Sequence, residues 1–263
     1  MLCRILESKL EGSMILNRHT LWLQCRPEAE KPQLRLFCLP HAGSGASAFN
    51  SWNTSLPTSV QVCSILLPGR ESRLSEPLYN HINPLLDDMT LALSPWLDIP
   101  FAIFGHSMGA LLAFEWARRL QRNVLAQPIG LYLSGRRAPN VHDTNASLQT
   151  LTDREFMVEL ARRYDGFPQE FFHNAELMEV YLPILRADIA VVESYHFQNG
   201  EPLNCPISVF AGIRDTTINW HQLLAWKTQT RGRFALRFFP GGHFYPQPPM
   251  LKSISASLAE FCS

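Results

Sequence analysis

The chain has 263 residues, 46% of them apolar and 17% charged, and its 23 Lys and Arg balance 23 Asp and Glu for a formal net charge of zero. That is enough apolar material for the large core of a single α/β domain, and the even balance lacks the basic excess or stripe that a nucleic-acid partner requires. No stretch approaches the ~20 apolar residues of a membrane span, and Arg4, Glu7 and Lys9 interrupt any leader-like core near the N-terminus.

Residues 1–20 read as a loose N-terminal extension, followed by a short strand expected around Leu21–Leu23. From Leu34 onward, short apolar runs alternate with longer segments of helical pattern. The runs are Leu34–Leu39, Val60–Leu67, Phe101–Phe104, Ile129–Leu133, Ile207–Ala211 and Phe234–Phe239. The middle ones are almost continuously apolar, as expected of strands buried on both faces of a parallel sheet. Asn83-Pro84 predicts a helix start, with Asn as N-cap and Pro at the first helical position. Leu85, Leu86, Met89, Leu93 and Leu97 follow at helical spacing. Ala110–Leu120 is apolar nearly all round, as for a helix packed on a sheet. Alternation of this kind implies right-handed crossovers and a mostly parallel α/β sheet with helices on both faces.

Residues 145–198 break the pattern, because they contain no convincing strand. Thr152-Asp153-Arg154-Glu155 reads as a capping box opening a helix. A second helix is expected from Ala175 to about Tyr195, kinked or split at Pro183. The expected organisation is a core of residues 21–144 and 199–263, interrupted by a helical insertion over 145–198.

Gly105-His106-Ser107-Met108-Gly109 directly follows one apolar run and directly precedes the apolar helix. Strand, G-x-S-x-G, helix is the context of a nucleophile elbow. Glycines flank the serine because side chains there would clash in so tight a turn. A serine hydroxyl needs a base, and in a fold of this type the acid and then the histidine follow the serine in the chain. Of nine histidines, His243 alone follows the last strand directly, in the loop Pro240-Gly241-Gly242-His243. Asp215, at the end of Phe210-Ala211-Gly212-Ile213-Arg214-Asp215, is the leading candidate for the acid, with Asp188 in the insertion the weaker one. The oxyanion of an acyl-transfer intermediate needs two backbone donors. The N–H of Met108 is one. The loop Pro40-His41-Ala42-Gly43-Ser44-Gly45 is expected to supply the other through Ala42, while His41 shapes that loop.

The six cysteines, Cys3, Cys25, Cys38, Cys63, Cys205 and Cys262, form no C-x-x-C pair and no zinc-spaced cluster. They read as small buried hydrophobes in a reducing compartment, so a cytoplasmic location without metal or cofactor is expected.

Four segments together resemble the type II thioesterases of nonribosomal-peptide and polyketide assembly lines. They are Leu36-Phe37-Cys38-Leu39-Pro40-His41-Ala42-Gly43, Leu67-Pro68-Gly69-Arg70-Glu71-Ser72-Arg73, Phe104-Gly105-His106-Ser107-Met108-Gly109-Ala110 and Pro240-Gly241-Gly242-His243-Phe244. Tyr181-Leu182-Pro183-Ile184-Leu185-Arg186-Ala187-Asp188 is similar to that family's lid segment. The resemblance implies an α/β-hydrolase fold, a Ser107–Asp215–His243 triad, a lid over an acyl channel, and an acyl-loaded carrier protein as partner, engaged through its phosphopantetheine arm. Ser44, where the family more often has glycine, and Tyr245-Pro246 depart from its pattern. Arg70 and Arg73 read either as contacts for an acidic carrier or a pantetheine phosphate, or as loop residues with local hydrogen bonds. A monomer is expected. An oxygen-ester hydrolase, an acyltransferase and a non-catalytic carrier-binding protein remain alternatives on the residues alone.

Overall fold

A computed structural model describes residues 21–25, 32–142, 145–165, 167, 169–245 and 247–261. The expected extension over 1–20, with Cys3, and also Pro246 and Cys262, lie outside these residues. The strands are β1 (Leu23–Cys25), β2 (Leu34–Leu39), β3 (Val60–Ile65), β4 (Phe101–His106), β5 (Leu131–Ser134), β6 (Ile207–Gly212) and β7 (Phe234–Phe239). The helices are α1 (Ile82–Leu93), α2 (Met108–Arg122), α3 (Asp153–Arg163), α4 (Ala175–Glu193), α5 (Trp220–Leu224) and α6 (Gln247–Ala259). The sheet order is β1-β3-β2-β4-β5-β6-β7, antiparallel only at β1–β3.

Each long apolar run serves two cores. In β2, Phe37 and Leu39 pack on one face with α1 and α2, while Leu34, Leu36 and Cys38 pack on the other with Phe49, Trp52 and α6. In β4, Phe101 and Ile103 take the first face, and Ala102 and Phe104 the second. Burial on both faces is why these strands lack polar alternation. The order of strand addition reverses at β2 and β4, which run parallel as neighbours though they are not consecutive in the chain. The carboxyl ends of two such strands leave a crevice where sites form in open α/β sheets. The loops after them carry Ala42 and Ser107.

Some expected boundaries shift. The strand after Ser59 ends at Ile65 rather than Leu67, and the one expected from Ile129 begins at Leu131. The first strand is Leu23–Cys25, slightly later than expected. Helix α1 begins at Ile82 with His81 as its N-cap, so Asn83 and Pro84 sit inside the first turn. Proline fits there because first-turn N–H groups have no helical acceptor. Thr152 and Glu155 do form a capping box on α3. Helix α4 is not split at Pro183 and ends at Glu193. Pro183 is solvent-exposed, so the one helical bond it removes is lost where water can replace it. Between β5 and β6 the described residues contain no strand; α3, α4 and a 3-10 turn at Gln169–Phe172 lie there. Leu148, Phe156, Met157, Leu160, Leu185 and Ile189 give this segment a small core of its own.

Candidate active site

Ser107 occupies the turn between β4 and α2 with φ 55° and ψ −112°. Its N–H donates to the Ser134 carbonyl at 2.8 Å, which ties the turn to β5. A Cβ on Gly105 would lie 2.1 Å from the Gly109 carbonyl oxygen, and one on Gly109 would lie 2.1 Å from the Leu39 carbonyl oxygen. Both obstacles are backbone, so only glycine permits this approach of α2 to β2 and β4.

His243 and Asp215 are both buried, and His243 Nδ1 lies 2.9 Å from Asp215 Oδ2. Asp215 Oδ1 accepts from the Thr217 N–H at 2.9 Å and the Thr217 hydroxyl at 2.6 Å. The loops carrying Asp215 and His243 are also joined through backbone: the Ile213 N–H donates to the Phe239 carbonyl and the Arg214 N–H to the Gly241 carbonyl. Burial pushes the Asp215 carboxyl pKa up, but the His243 hydrogen bond and charge and the Thr217 donors outweigh it, so the net shift is downward. An ionised Asp215 is the form that holds Nδ1 protonated and leaves Nε2 free to act as base. Ser107 and His243 line one small cavity of about 40 Å3 together with Tyr164, Leu148, Ile189 and Thr217. No hydrogen bond joins Ser107 to His243 in this structure. Such bonds are commonly long before substrate binds.

The Met108 N–H is the first of α2, where the helix dipole favours negative charge. Neither it nor the Ala42 N–H has an acceptor among the described residues. Ala42 lies in a turn closed by the Ser44 N–H on the His41 carbonyl at 3.1 Å. His41 contacts the Ala42 carbonyl through Nδ1 at 3.0 Å and packs its ring on His106 and Phe244.

It is Asp215, not Asp188, that meets His243. Asp188 is buried and takes both Nη atoms of Arg70 at 2.8 Å. Arg70 is thereby withdrawn from the surface, and Arg73 is buried as well, bonded to Glu76 and the Leu66 carbonyl with its guanidinium 4.4 Å from the Trp22 ring centroid. Both arginines are engaged within the fold; Arg73 bonds locally, whereas Arg70 bonds across the chain to Asp188 and the Ser44 carbonyl. The sequence reading missed two supporting residues. Asp165, just beyond α3, accepts the His243 N–H at 2.9 Å, and Thr217 fixes Asp215. Thr217, two residues after an aspartate, carries the signature of a side-chain-to-backbone turn; Asp165 carries no local signal.

A serine in a strand–turn–helix elbow, with an aspartate and then a histidine on later loops, defines the class as α/β-hydrolase. A family model described as Thioesterase domain matches residues 34–258. The gramicidin S biosynthesis protein GrsT of Aneurinibacillus migulanus is 41% identical over 213 residues, covering 81% of this chain and 83% of its own. The structure of RedJ, a thioesterase of the prodiginine pathway in Streptomyces coelicolor, superposes with a TM-score of 0.81 at 35% identity, covering 88% of each chain. The type II thioesterase BorB of the borrelidin cluster gives 0.80 at 33% identity, covering 92% of this chain and 98% of its own. The chain belongs to the thioesterase family and is a thioesterase.

Among the described residues, no helix is long and apolar enough to cross a membrane.

Proposed function

We propose that the chain removes acyl groups from the phosphopantetheine arm of carrier proteins in a peptide or polyketide assembly line. GrsT, named for gramicidin S biosynthesis, RedJ for the prodiginine pathway and BorB for the borrelidin cluster support a biosynthetic setting of this kind. Ser107 is the nucleophile, His243 the base and Asp215 the acid; the observation that carries this is the buried His243–Asp215 contact opening onto the same cavity as Ser107. Ser107 Oγ attacks the thioester carbonyl while His243 takes its proton. The Ala42 and Met108 N–H groups hold the oxyanion. The C–S bond breaks, the proton passes from His243 to the leaving thiolate, and an acyl-serine remains. A water deprotonated by His243 then releases the acid and restores Ser107.

Residues 21–144 and 199–263 form the catalytic core in this reading, and 145–198 a lid. The space beside Ser107 is narrow, about 40 Å3, and movement of the segment carrying Leu148, Tyr164 and Ile189 would widen it for an acyl chain. In this reading the enzyme acts as a monomer. A cytoplasmic location accords with the buried thiols of Cys38 and Cys205. Turnover of matched acyl thioesters and oxygen esters tests the reaction class. A strong preference for the thioester supports the proposal, and preference for the oxygen ester contradicts it.

A further inference from the structure

Resting on the thioesterase reading, the geometry points to Arg70 and Asp188 as a positioning pair that holds the oxyanion loop and makes its shape depend on helix α4. Asp188 sits on α4, between β5 and β6, while Arg70 follows β3 and the oxyanion loop follows β2. All three segments meet at one carboxylate. Asp188 Oδ2 accepts the Gly43 N–H at 2.7 Å and Arg70 Nη1 at 2.8 Å, and Oδ1 accepts Arg70 Nη2 at 2.8 Å. Arg70 Nη1 also donates to the Ser44 carbonyl at 3.0 Å. Gly43 has φ +77°, and a Cβ there would lie 2.5 Å from the Leu185 side chain, also on α4. Beside it, Glu71 Oε1 accepts from the Ser47 N–H at 3.0 Å and the Ser47 hydroxyl at 2.6 Å.

The loop is thus gripped on both sides of Gly43, one residue from the Ala42 donor. Occupying the Gly43 N–H withdraws it from the oxyanion and fixes the direction of the neighbouring Ala42 N–H. A donor of this kind acts only when pre-aimed at the position of the developing charge. If α4 swings out with Asp188, Arg70 and the Gly43 N–H lose their shared partner, and the loop relaxes. The hole is therefore complete only with α4 seated, which couples catalysis to closure over the acyl group.

Steady-state kinetics on an acyl N-acetylcysteamine thioester, with inhibition by the matching acyl trifluoromethyl ketone, test this. Asp188→Asn should lower kcat by about 10- to 100-fold, a fraction of what deleting an oxyanion donor costs, with KM changed by less than about 3-fold, and should weaken the ketone in parallel with kcat. The paired apolar replacement Arg70→Met with Asp188→Leu separates positioning from stability. Exchanging a buried ion pair for apolar groups commonly preserves stability, so its melting temperature should approach the wild type while kcat stays low. Recovery of kcat along with melting temperature overturns the inference, as does an unchanged kcat in Asp188→Asn. Should the paired variant not fold, the parallel between kcat and ketone affinity in Asp188→Asn decides alone. A wild type that leaves the thioester uncut would instead overturn the thioesterase reading.

A separate observation concerns Cys25 and Cys63. They are register partners on the antiparallel strands β1 and β3, and their sulfurs lie 2.8 Å apart. We propose that they are a disulfide-forming pair that locks the edge strand β1 to the sheet. Cys25 is partly exposed and Cys63 is buried. The Cys25 thiolate attacks a low-molecular-weight disulfide such as oxidised glutathione, releasing one glutathione thiolate. The Cys63 thiolate then attacks the Cys25 sulfur and releases the second. The protein loses two protons and two electrons, which reduce the oxidant to two glutathione thiols. Intact-protein mass spectrometry with oxidised glutathione should show loss of two hydrogens and, after non-reducing digestion, a Cys25–Cys63 cross-linked peptide. A lasting glutathione adduct on Cys25, a different pairing, or no reaction overturns the proposal.

Discussion

Ser107 holds a backbone conformation that an L-residue adopts at a cost of about 1–3 kcal/mol. Ser107→Gly should therefore raise unfolding stability by about 1 kcal/mol while abolishing turnover, checked by urea denaturation beside an acyl thioester assay; lower stability would contradict the strained-elbow account. Asp215→Asn should reduce kcat by roughly 10³–10⁴-fold, because a neutral amide no longer selects the tautomer that leaves His243 Nε2 free. Two histidines near the site give the protein a pH response. Burial pushes the His106 pKa well below its usual value, helped by His243 and His41, and burial lowers His41 too. A base with a depressed folded pKa is neutral in the native state, so the unfolded chain takes up the proton first. Its contribution is present above about pH 6.5 and is lost as pH falls toward the folded value. The melting temperature should thus decline from about pH 6.5 downward, and His106→Gln should flatten that slope; an unaltered slope would show that His106 is not its source. Asp215 acts in a lower window: its depressed pKa stabilises the fold above its ordinary value of about 3.9 and ceases to do so as pH drops through the folded pKa.

At the scale of elements, the close approaches at glycines decide whether the loops bearing acid and base can meet. A Cβ on Gly212, at the end of β6, would lie 2.0 Å from the Gly242 carbonyl oxygen. Gly212→Ala must push the β7 loop away, so it should cost about 1–3 kcal/mol of stability and lower kcat by separating His243 from Asp215. A variant with normal kcat would mean that the two loops adjust independently. The elbow, the strands and the order of Ser107, Asp215 and His243 were legible in the sequence because each is a local signal: an apolar run, a glycine pair, a loop after a strand. Helix starts were less legible, since Asn83-Pro84 imitates a cap while the helix begins two residues earlier, at Ile82. The partners that Asp188, Arg70 and Asp165 find in the fold were not legible. Asp188 Oδ2 receives a residue 145 positions away and Asp165 one 78 positions away, and no periodicity within a segment encodes contacts that only the assembled sheet creates.

For the whole molecule, the two faces of the sheet form continuous cores, whereas the segment between β5 and β6 has only a small cluster of its own. Regions with few buried contacts open at lower free energy than the global fold. Amide exchange should therefore be faster in α3 and α4 than in α2 and β4. Trapping Ser107 with an acyl phosphonate should change exchange in α4 and the oxyanion loop together, while uniform exchange across all these elements would contradict a moving lid.

The most direct test of the account is mass spectrometry of an acyl-loaded carrier protein incubated with the wild-type enzyme and with Ser107→Ala. The account predicts that the wild type strips the acyl group to leave free phosphopantetheine thiol, and that the variant leaves the carrier loaded. Equal deacylation by both would remove Ser107 from the mechanism, and a wild type that cleaves small esters but no loaded carrier would contradict the proposed substrate.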